Sequence, residues 1–526
     1  MFRLIILVCT AAVLSAGGVG AATLRWANRG DPQTTDPHSQ NEGLTNNVNQ
    51  LVYEFLVGRD KKLELEPQLA VSWQQLDATT WRVKLRPGVK FHDGTPFTAD
   101  DVVFSFQRAA EPTSQLRVYS NAAGVAKKID ELTVEFKTPG PNPIFLEHLA
   151  TINIMSKAWC EKNRATKPQD YTHKEDMITA HQANGTGAYM LKSREPDIKT
   201  VLVKNPNWWG IKEGKFEGNI DEVVFQPIAS DATRLAALMS GEVDLINDPP
   251  VQDIPRLKQN PGVKILEGTE NRVIFIGMDQ QRDELLYSSV KGKNPFKDKR
   301  VREALNLAVD REAIKRSIMR GLSVPANIMI APGVNGYSAE LDKPLKADLD
   351  KAKKLLAEAG YPQGFEFQLN CPNNRYVNDE KICVALVSMW AKLGVTVKLN
   401  AEGMATFIQK VQNFDTSAYL LGWGVATYDA QYSLQSLVRT RTSGADGNFN
   451  FSRVSDAKVD QLVDAMKTET DVAKRNAMIR EALIRTRDEY LFVPLHHQIR
   501  PWAMTQGVTT VHRSDDRPEA RFTSVK

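Results

Sequence analysis

Cysteine is scarce in this chain, and hydrophobic runs of membrane-spanning length are absent beyond the N-terminus. The 526 residues include four cysteines. Three of them, Cys160, Cys371 and Cys383, follow the N-terminal apolar segment, and none has histidines at the spacing of a zinc site. No apolar run after residue 22 reaches the roughly 20 residues that a transmembrane helix needs. We therefore expect neither a local zinc motif nor a membrane-spanning chain.

An excess of one charge is also missing. Lysine and arginine number 67 and aspartate and glutamate number 63, which leaves a net charge of +4 at pH 7. The sequence also has no run of basic residues that would indicate a nucleic-acid-binding surface, so no nucleic-acid partner is expected. The hydrophobic content of 42% is ordinary for a globular protein and is enough for a sizeable core.

Short catalytic motifs are missing as well. The chain has no Gly-x-Ser-x-Gly elbow, no phosphate loop ending in Gly-Lys-Ser/Thr and no His-Glu-x-x-His helix. Catalytic triads need not be local in sequence, so a secreted hydrolase stays open as an alternative. His496 and His497 are adjacent on a predicted strand and point to opposite faces. At most one of them faces a cleft, and we predict no metal site.

Residues 1–22 have the pattern of a secretory signal peptide. Arg3 supplies a basic start, an apolar run follows over Leu4–Ala16, and small residues offer cleavage after Ala21 or Ala22. Cys9 lies inside the apolar run and not after it, so no lipid anchor is predicted. The pattern predicts an exported protein in the periplasm.

An oxidising compartment permits a disulfide. Cys371 and Cys383 are 12 residues apart and bracket a loop and the start of a predicted helix. We predict that they form a disulfide that closes this loop, which leaves Cys160 as a single thiol.

Alternating helical and strand patterns between residues 348 and 429 predict an α/β fold. The predicted order is a helix capped by Asp348, a strand over 365–370, a helix over 382–393, a strand over 395–399, a helix over 404–412 and a strand over 416–423. Right-handed crossovers make this a parallel, doubly wound sheet, in which ligands bind beyond the carboxyl ends of the strands. The loops Asn370–Asp379 and Gly422–Tyr432 leave those ends, so we expect them to form part of a pocket.

The segment Pro67–Arg108 predicts a hairpin over 70–85, a short strand ending at Phe91 and a helix capped by Thr98. The sequence of this segment closely resembles the signature region of the extracytoplasmic solute-binding proteins of peptide-type ABC importers, the dipeptide, oligopeptide and nickel-binding family. Four further segments share the resemblance: Asn205–Gly210, Arg234–Asp244, Asp298–Gly321 and Ala352–Phe365. The likeness runs from about residue 24 to about residue 500.

The resemblance implies a two-lobed periplasmic-binding-protein fold with an extra inserted domain. The expected division is a first lobe of 23–65, 190–272 and 496–526, an inserted domain of 66–189, and a second lobe of 273–495. Lobes joined by two crossings close around a ligand by hinge motion. The implied partners are a peptide or peptide-like solute and the permease subunits of an ABC transporter in the inner membrane. The implied protein is a monomer that needs no cofactor. A periplasmic chaperone or sensor is a further alternative.

Ligand-binding residues are predicted on the two sheet-end loops. Trp423 matches a tryptophan of the family, and Tyr428 lies on the same loop. Arg375 and Tyr376 lie on the other loop, where peptide-binding relatives place a basic group against the ligand's carboxylate. A solvent-exposed arginine is the equally weighted alternative for Arg375.

The chain departs from the family pattern at Ala426. Peptide-binding relatives carry an aspartate three residues after the tryptophan, and it holds the ligand's amino group. Asp429 matches a second acidic position that we interpret as structural, with direct ligand contact as the alternative. Without that anchor, the ligand either meets Asp429 or lacks a free amino terminus, which admits sugars, opine-like conjugates and metal chelates.

The turn after the first predicted strand is the remaining candidate. The family counterpart of Gly43 to Asn46 lines the cleft, so Leu44, Thr45 and Asn46 are predicted to contact the ligand. A simple helix cap is the alternative for this segment.

Overall fold

The structure is a computed structural model that describes residues 21–173 and 175–526. Most of the predicted signal peptide therefore lies outside the described residues. The β-strands are β1 Thr23–Asn28, β2 Val57–Arg59, β3 Leu65–Pro67, β4 Ala70–Asp77, β5 Thr80–Leu85, β6 Val125–Asp130, β7 Thr133–Lys137, β8 Tyr189–Glu195, β9 Lys199–Lys204, β10 Glu222–Pro227, β11 Leu245–Asn247, β12 Val263–Met278, β13 Ser323–Pro325, β14 Glu366–Pro372, β15 Thr396–Glu402, β16 Ala418–Trp423 and β17 Val493–Thr505.

Helices alternate with these strands along most of the chain. The α-helices are α1 Gly43–Val52, α2 Ala99–Ala109, α3 Arg117–Ala123, α4 Phe145–Leu149, α5 Lys157–Lys162, α6 Trp209–Lys212, α7 Asp231–Ser240, α8 Ile254–Lys258, α9 Lys299–Leu307, α10 Arg311–Ala313, α11 Leu349–Glu358, α12 Asp379–Ala391, α13 Met404–Gln412, α14 Ala430–Ser433, α15 Ala457–Met466 and α16 Val472–Asp488. None of the helices in the described ranges has the length and apolar character to cross a membrane.

One large mixed sheet organises the molecule. Its strand order is β15-β14-β16-β12-β17-β11-β1-β10-β9-β8, and β13 pairs with β17. Strand β14 pairs in parallel with both β15 and β16, so the parallel sheet predicted for residues 365–423 is confirmed. The order places β1 and its neighbours at one side of the sheet and β14 and its neighbours at the other.

The two sides are joined by the long strands β12 and β17. They pair antiparallel from Val263 with Thr505 to Ile276 with Val493. The register shifts between Thr269 and Val273, so residues 270–272 leave the ladder as a bulge. A bulge redirects side chains away from the sheet, and this one lies where the chain passes from one side to the other.

A second, four-stranded antiparallel sheet has the order β4-β5-β7-β6. It contains the predicted hairpin of residues 70–85 and packs with α2, where Thr98 and Asp101 form a capping box. The predicted strand ending at Phe91 is wrong. Only an isolated bridge between Lys90 and Pro96 forms there, because the Asp93-Gly94 turn follows at once and leaves no room for a ladder.

Helix ends in the second half follow the sequence signals. Asp348 accepts a hydrogen bond from the Lys351 N–H at 2.9 Å and caps α11, and Gly360 follows it with a φ of +93°. Such a left-handed residue ends a helix at little cost when it is glycine. The apolar face of α12 packs on β14 and β15, and that of α11 packs on α9; Ala352, Leu356 and Trp390 on these faces are buried.

Candidate functional site

A cavity of about 1230 Å³ lies between the two sides of the large sheet. This volume exceeds the 300–1,000 Å³ typical of sites for drug-sized ligands. The wall comes from α1 and the loop before it, residues 115–188 outside the four-stranded sheet, the loops after β14 and β16, α13, the bulge of residues 270–272, and a C-terminal segment over 513–521. The predicted location beyond the carboxyl ends of parallel strands therefore coincides with a large cavity.

Arg375 and Tyr376, from the loop after β14, both line this cavity. Their backbone N–H groups each donate to Asp379 Oδ2 at 2.9 Å, which fixes the loop at the start of α12. The Arg375 side chain is only 20% exposed, and its Nη2 lies 2.9 Å from Glu42 Oε1. The solvent-exposed alternative for Arg375 is therefore wrong, because this arginine is largely buried and is already paired.

The aromatic residues of the loop after β16 form another part of the wall. Trp423 is 8% exposed; its indole N–H donates to Ser433 Oγ at 3.1 Å, and its ring lies 5.0 Å from that of Phe449. The Tyr428 ring lies under the guanidinium of Arg59 at 4.5 Å. Burial raises the pKa of the Tyr428 phenol to about 12, so this group stays neutral and donates or accepts hydrogen bonds. Both side chains line the cavity.

Ala426 lies on the same wall and is exposed to the cavity. It brings a methyl group to the position where the resemblance places an aspartate. The cavity therefore has no carboxylate at that point of the described chain.

Asp429 has the structural position that we interpreted for it, and the predicted alternative, direct ligand contact, needs correction. It does not line the cavity; its two oxygens meet Arg475 Nη1 and Nη2 at 2.8 and 2.7 Å. The Gln431 N–H and the Asn335 amide donate to it as well, each at 2.9 Å. With four donors on one buried carboxylate, its lone pairs are in use. Asp429 caps α14 and supports the loop from behind.

The prediction for the turn before α1 needs correction in part. Asn46 and Gly43 line the cavity, whereas Leu44 and Thr45 do not. The Leu44 side chain packs against the core around β1, and the Thr45 hydroxyl accepts from the Gln33 N–H at 2.9 Å. Adjacent residues at a helix start point in different directions, so a contiguous lining segment does not form. The helix cap, which was the alternative role for this segment, is provided by the preceding residue, Glu42.

The arginines of the cavity wall are all paired with acids. Seven arginines line it, and each has a carboxylate within 4.0 Å: Arg59 with Glu147, Arg194 with Asp31, Arg272 with Glu270, Arg375 with Glu42, Arg513 with Asp515, Arg517 with Glu519, and Arg521 with Glu519 and Glu66. A charge taken out of water needs such a partner. The wall is therefore charged but locally compensated.

Two of these ion pairs, Arg272 with Glu270 and Arg375 with Glu42, lie close together near the bulge of residues 270–272. Glu270 lies 2.6 Å from Arg272 and accepts from the Gln498 amide at 2.7 Å. Burial opposes ionisation of Glu270, but Arg272 and Arg500 outweigh it and hold its pKa below the usual value. A Cβ added to Gly43 would lie 3.3 Å from Arg375 Nη2 and 3.6 Å from Arg272 Nη2, so both guanidinium groups approach the start of α1.

Glu54 is a buried carboxylate on the cavity wall without an arginine partner within salt-bridge distance. Its oxygens accept from the indole N–H groups of Trp208 and Trp209 at 3.0 Å. Burial raises its pKa to about 7, against the lowering effect of these indoles. Its hydrogen bonds tie the end of α1 to the Trp208-Trp209 pair, and it is half neutral near neutral pH.

Sequence reasoning missed the inserted region and the C-terminus as sources of lining residues. Tyr119, Thr151 and Asn153 come from the inserted region, and Arg513 and Arg517 come from the C-terminal segment. The mixed charges of residues 513–521 look like any solvated segment. Only the return of the chain to the cavity gives them a buried position, so no local signal distinguishes them.

The remaining candidates lie away from the cavity wall. Cys371 and Cys383 form a disulfide that ties β14 to α12, and Cys160 is a buried free thiol. His496 and His497 are both buried and neither lines the cavity, because β17 is covered on both faces here. His497 Nε2 lies 2.8 Å from Asp342. Burial lowers the pKa of His496 to about 3.

Comparison with known proteins decides the family. The model of "Bacterial extracellular solute-binding proteins, family 5 Middle" matches residues 64–445, which is well over half of the chain. The chain belongs to this family. The resemblance seen in the sequence is therefore confirmed, and a solute-binding role follows from it.

Curated relatives of this solute-binding protein match over nearly their whole length. It is 28% identical to heme-binding protein A of Haemophilus influenzae, over 87% of this chain and 84% of the relative. It is 27% identical to the periplasmic oligopeptide-binding protein OppA of Escherichia coli K12, over 91% and 89%. A glutathione-binding protein GsiB of Shigella flexneri is 28% identical over 88% and 86%.

Solved structures give the same fold. A periplasmic binding protein DppA from Helicobacter pylori, in complex with peptide STSA, superposes with a TM-score of 0.83 at 24% identity, over 96% of this chain and 98% of that one. The binding protein AgaA from A. tumefaciens R10, in complex with agropinic acid, gives 0.80 at 25% identity, over 96% and 99%. The two-lobed periplasmic-binding-protein fold is thereby confirmed. Family and fold are those of binding proteins and not of enzymes.

Proposed function

We propose that this protein is an exported, monomeric carrier that binds a peptide-like solute without a free amino terminus and delivers it to the permease of an ABC importer. The cavity between the two sides of the sheet, with Ala426 on its wall, is the observation that carries the proposal. The periplasmic and permease parts rest on the family, whose relatives include periplasmic oligopeptide-binding and glutathione-binding proteins.

Closure is proposed to occur between a first lobe of residues 23–65, 190–272 and 496–526, carrying the inserted domain of 66–189, and a second lobe of 273–495. The two long strands with their bulge support a hinge at residues 270–272. Contacts across the cavity support a closed form. The Tyr432 hydroxyl, from α14, lies 2.9 Å from His148 Nε2, and the Tyr432 ring lies 4.8 Å from that of Tyr119 of the inserted region, tilted by 50°. Ligand contacts with both lobes then favour the closed state through differential affinity.

The absence of a free ammonium on the ligand is inferred from the available carboxylates. In the described chain, the buried acids on the wall are in use. Glu42, Glu270, Asp515 and Glu519 are paired with arginines, and Glu54 accepts two indole N–H groups. Glu175 and Asp176 are exposed at the rim, where water weakens a charged contact. A buried ligand ammonium therefore lacks a dedicated carboxylate at the position that Ala426 occupies.

The neutral groups of the wall favour a peptide-like ligand. Fourteen asparagine and glutamine side chains line the cavity. Each amide offers donors and an acceptor, which match peptide groups and hydroxyls. An opine-like conjugate is the second candidate. The amide side chains of the wall also suit its polar groups, and a structural relative at 25% identity was solved with agropinic acid.

The first experiment is native mass spectrometry of freshly purified protein, to identify a co-purified solute. We expect one small molecule per chain, released unchanged on denaturation. Turnover of that molecule on prolonged incubation would support the hydrolase alternative instead. Uptake of the solute only when the transporter is present separates transport from sensing.

The second experiment tests the lost anchor with tri-alanine and N-acetyl-tri-alanine in isothermal titration. We expect the wild type to bind the acetylated form at least tenfold more tightly. Ala426→Asp should strengthen binding of the free amine, whereas the isosteric control Ala426→Asn should not, because only the former adds a charge. Micromolar binding of the free amine by the wild type, lost on acetylation, contradicts the proposal.

A further inference from the structure

Glu42 and Arg375 come from opposite sides of the cavity. Glu42 precedes α1, whose core includes Leu24 and Trp26 of β1. Arg375 follows β14, whose core includes Phe367. The ion pair of 2.9 Å between them therefore bridges the cleft and does not lie within one side.

Glu42 is held firmly in this position. Its Oε2 accepts from the Thr45 N–H at 2.9 Å and from the Thr45 hydroxyl at 3.0 Å, at the positive end of a ten-residue helix. Burial opposes its ionisation, but Arg375 and the backbone N–H groups outweigh it and lower the pKa of Glu42. The carboxylate is therefore charged and points its second oxygen at Arg375.

Arg375 is fixed from its own side. Its backbone is bound to Asp379, and its guanidinium lies 5.2 Å from the ring centre of Tyr376. In the described structure, Glu42 is its one carboxylate within 4.0 Å. The guanidinium also lines the cavity, so a ligand carboxylate that approaches it meets the charge of Glu42 at close range.

We propose that Glu42 is a specificity-determining residue: it pairs with Arg375 from across the cleft and acts as a built-in competitor of ligand carboxylates. The same contact holds the two sides together when the cavity contains no ligand. Solutes with an amide, ester or other neutral group at this end are then preferred over their carboxylates. This inference deepens the proposed function, and its binding experiment rests on that function.

Binding is tested with N-acetyl-tri-alanine and N-acetyl-tri-alanine amide, which differ in the terminal charge. For Glu42→Gln, we expect the affinity for the carboxylate probe to rise at least tenfold, or 1.4 kcal/mol, while that for the amide changes less than threefold. Glutamine keeps an oxygen for the cap of α1. The control is Glu340→Gln, which removes an exposed ion pair with Arg480. Neither residue lines the cavity, so this variant should change neither affinity.

The conformational arm needs no ligand. Small-angle scattering of the unliganded protein should give a larger radius of gyration for Glu42→Gln and for Arg375→Gln than for Glu340→Gln and wild type. Thermal melts confirm that each variant is folded. Two variants, one from each side, keep the arm informative if one of them misfolds.

An unchanged carboxylate-to-amide ratio in Glu42→Gln overturns the inference, as does weaker or absent binding of the carboxylate probe by that variant. Equal radii of gyration overturn the role in holding the cleft. These failures are distinct from failure of the proposed function. A wild type that carries no solute and binds neither probe contradicts the function, whereas a variant that retains the wild-type solute without gaining the carboxylate probe contradicts only the inference.

Discussion

Substitution of Asp429 by asparagine separates a supporting role from a ligand-binding role. Asp429 and Arg475 are each 5% exposed at the side chain and are joined by two hydrogen bonds of 2.7 and 2.8 Å. Asparagine keeps the shape but removes the charge and turns an amide N–H₂ towards donors. The guanidinium of Arg475 is then buried without a counter-ion.

Breaking a buried ion pair by removing one partner costs about 3–5 kcal/mol. The entropy of unfolding is about 2.1 cal/mol/K per residue. If between half and all of this chain unfolds as one unit, each kcal/mol lowers the melting temperature by about 1–2 °C. We therefore expect Asp429→Asn to melt about 3–10 °C below the wild type.

The assay is differential scanning calorimetry at pH 7, with Asp464→Asn as the matched control. Asp464 also pairs with an arginine, Arg439 at 3.0 Å, but its side chain is 49% exposed. Exposed pairs contribute about 0–1 kcal/mol, so the control should melt within about 2 °C of the wild type. A melting temperature for Asp429→Asn equal to that of the control, together with loss of the bound solute, refutes the supporting role.

Two further predictions concern stability. His496 is buried with neither ring nitrogen hydrogen-bonded in the described structure, and burial lowers its pKa to about 3. The unfolded chain binds a proton below pH 6.5 and the folded chain does not, so stability falls as pH drops from 6.5. The free energy of unfolding of the wild type should fall between pH 8 and pH 5, and His496→Leu should make this fall about 2 kcal/mol smaller. Urea unfolding at both pH values measures it, and an equal fall in variant and wild type contradicts the prediction. Replacement of Cys371 and Cys383 by serine should cost about 3 kcal/mol, the entropy of closing a loop of this length. Reduction should destabilise the wild type but not the double variant, and equal sensitivity to reductant contradicts the assignment.

Local signals predicted the elements around the site with good accuracy. Asp348, Gly360 and the apolar spacing of α11 and α12 are short-range features, and the structure has these helices with ends close to those expected. Parallel pairing of β14, β15 and β16 followed from the order of elements, because a helix between two strands returns the chain to the end of the sheet where the first strand began. The predicted pocket at the ends of these strands followed from the same rule.

The failures have a different cause. Leu44 and Thr45 were predicted to contact the ligand from their place in the chain, and Asp429 was given this role as an alternative. The direction of each side chain depends on neighbours far away in sequence. Arg475, which donates hydrogen bonds to both carboxylate oxygens of Asp429, lies 46 residues further along the chain. The partner of Arg375 lies across the cleft at Glu42. Sequence spacing carries no information about such contacts.

The order of the elements and the sequences of the signature segments were sufficient to determine that this chain is an α/β solute-binding protein with a cavity at the sheet ends, because both depend on short-range patterns. Tertiary structure alone decided which charges face the cavity and which are compensated. Those properties arise where distant segments meet: the bulge at residues 270–272, the start of α1, and the C-terminal segment that returns to the wall. Electrostatic pairing acts through space and not along the chain, so the chemical character of the cavity emerges only when the fold brings its partners within a few ångströms.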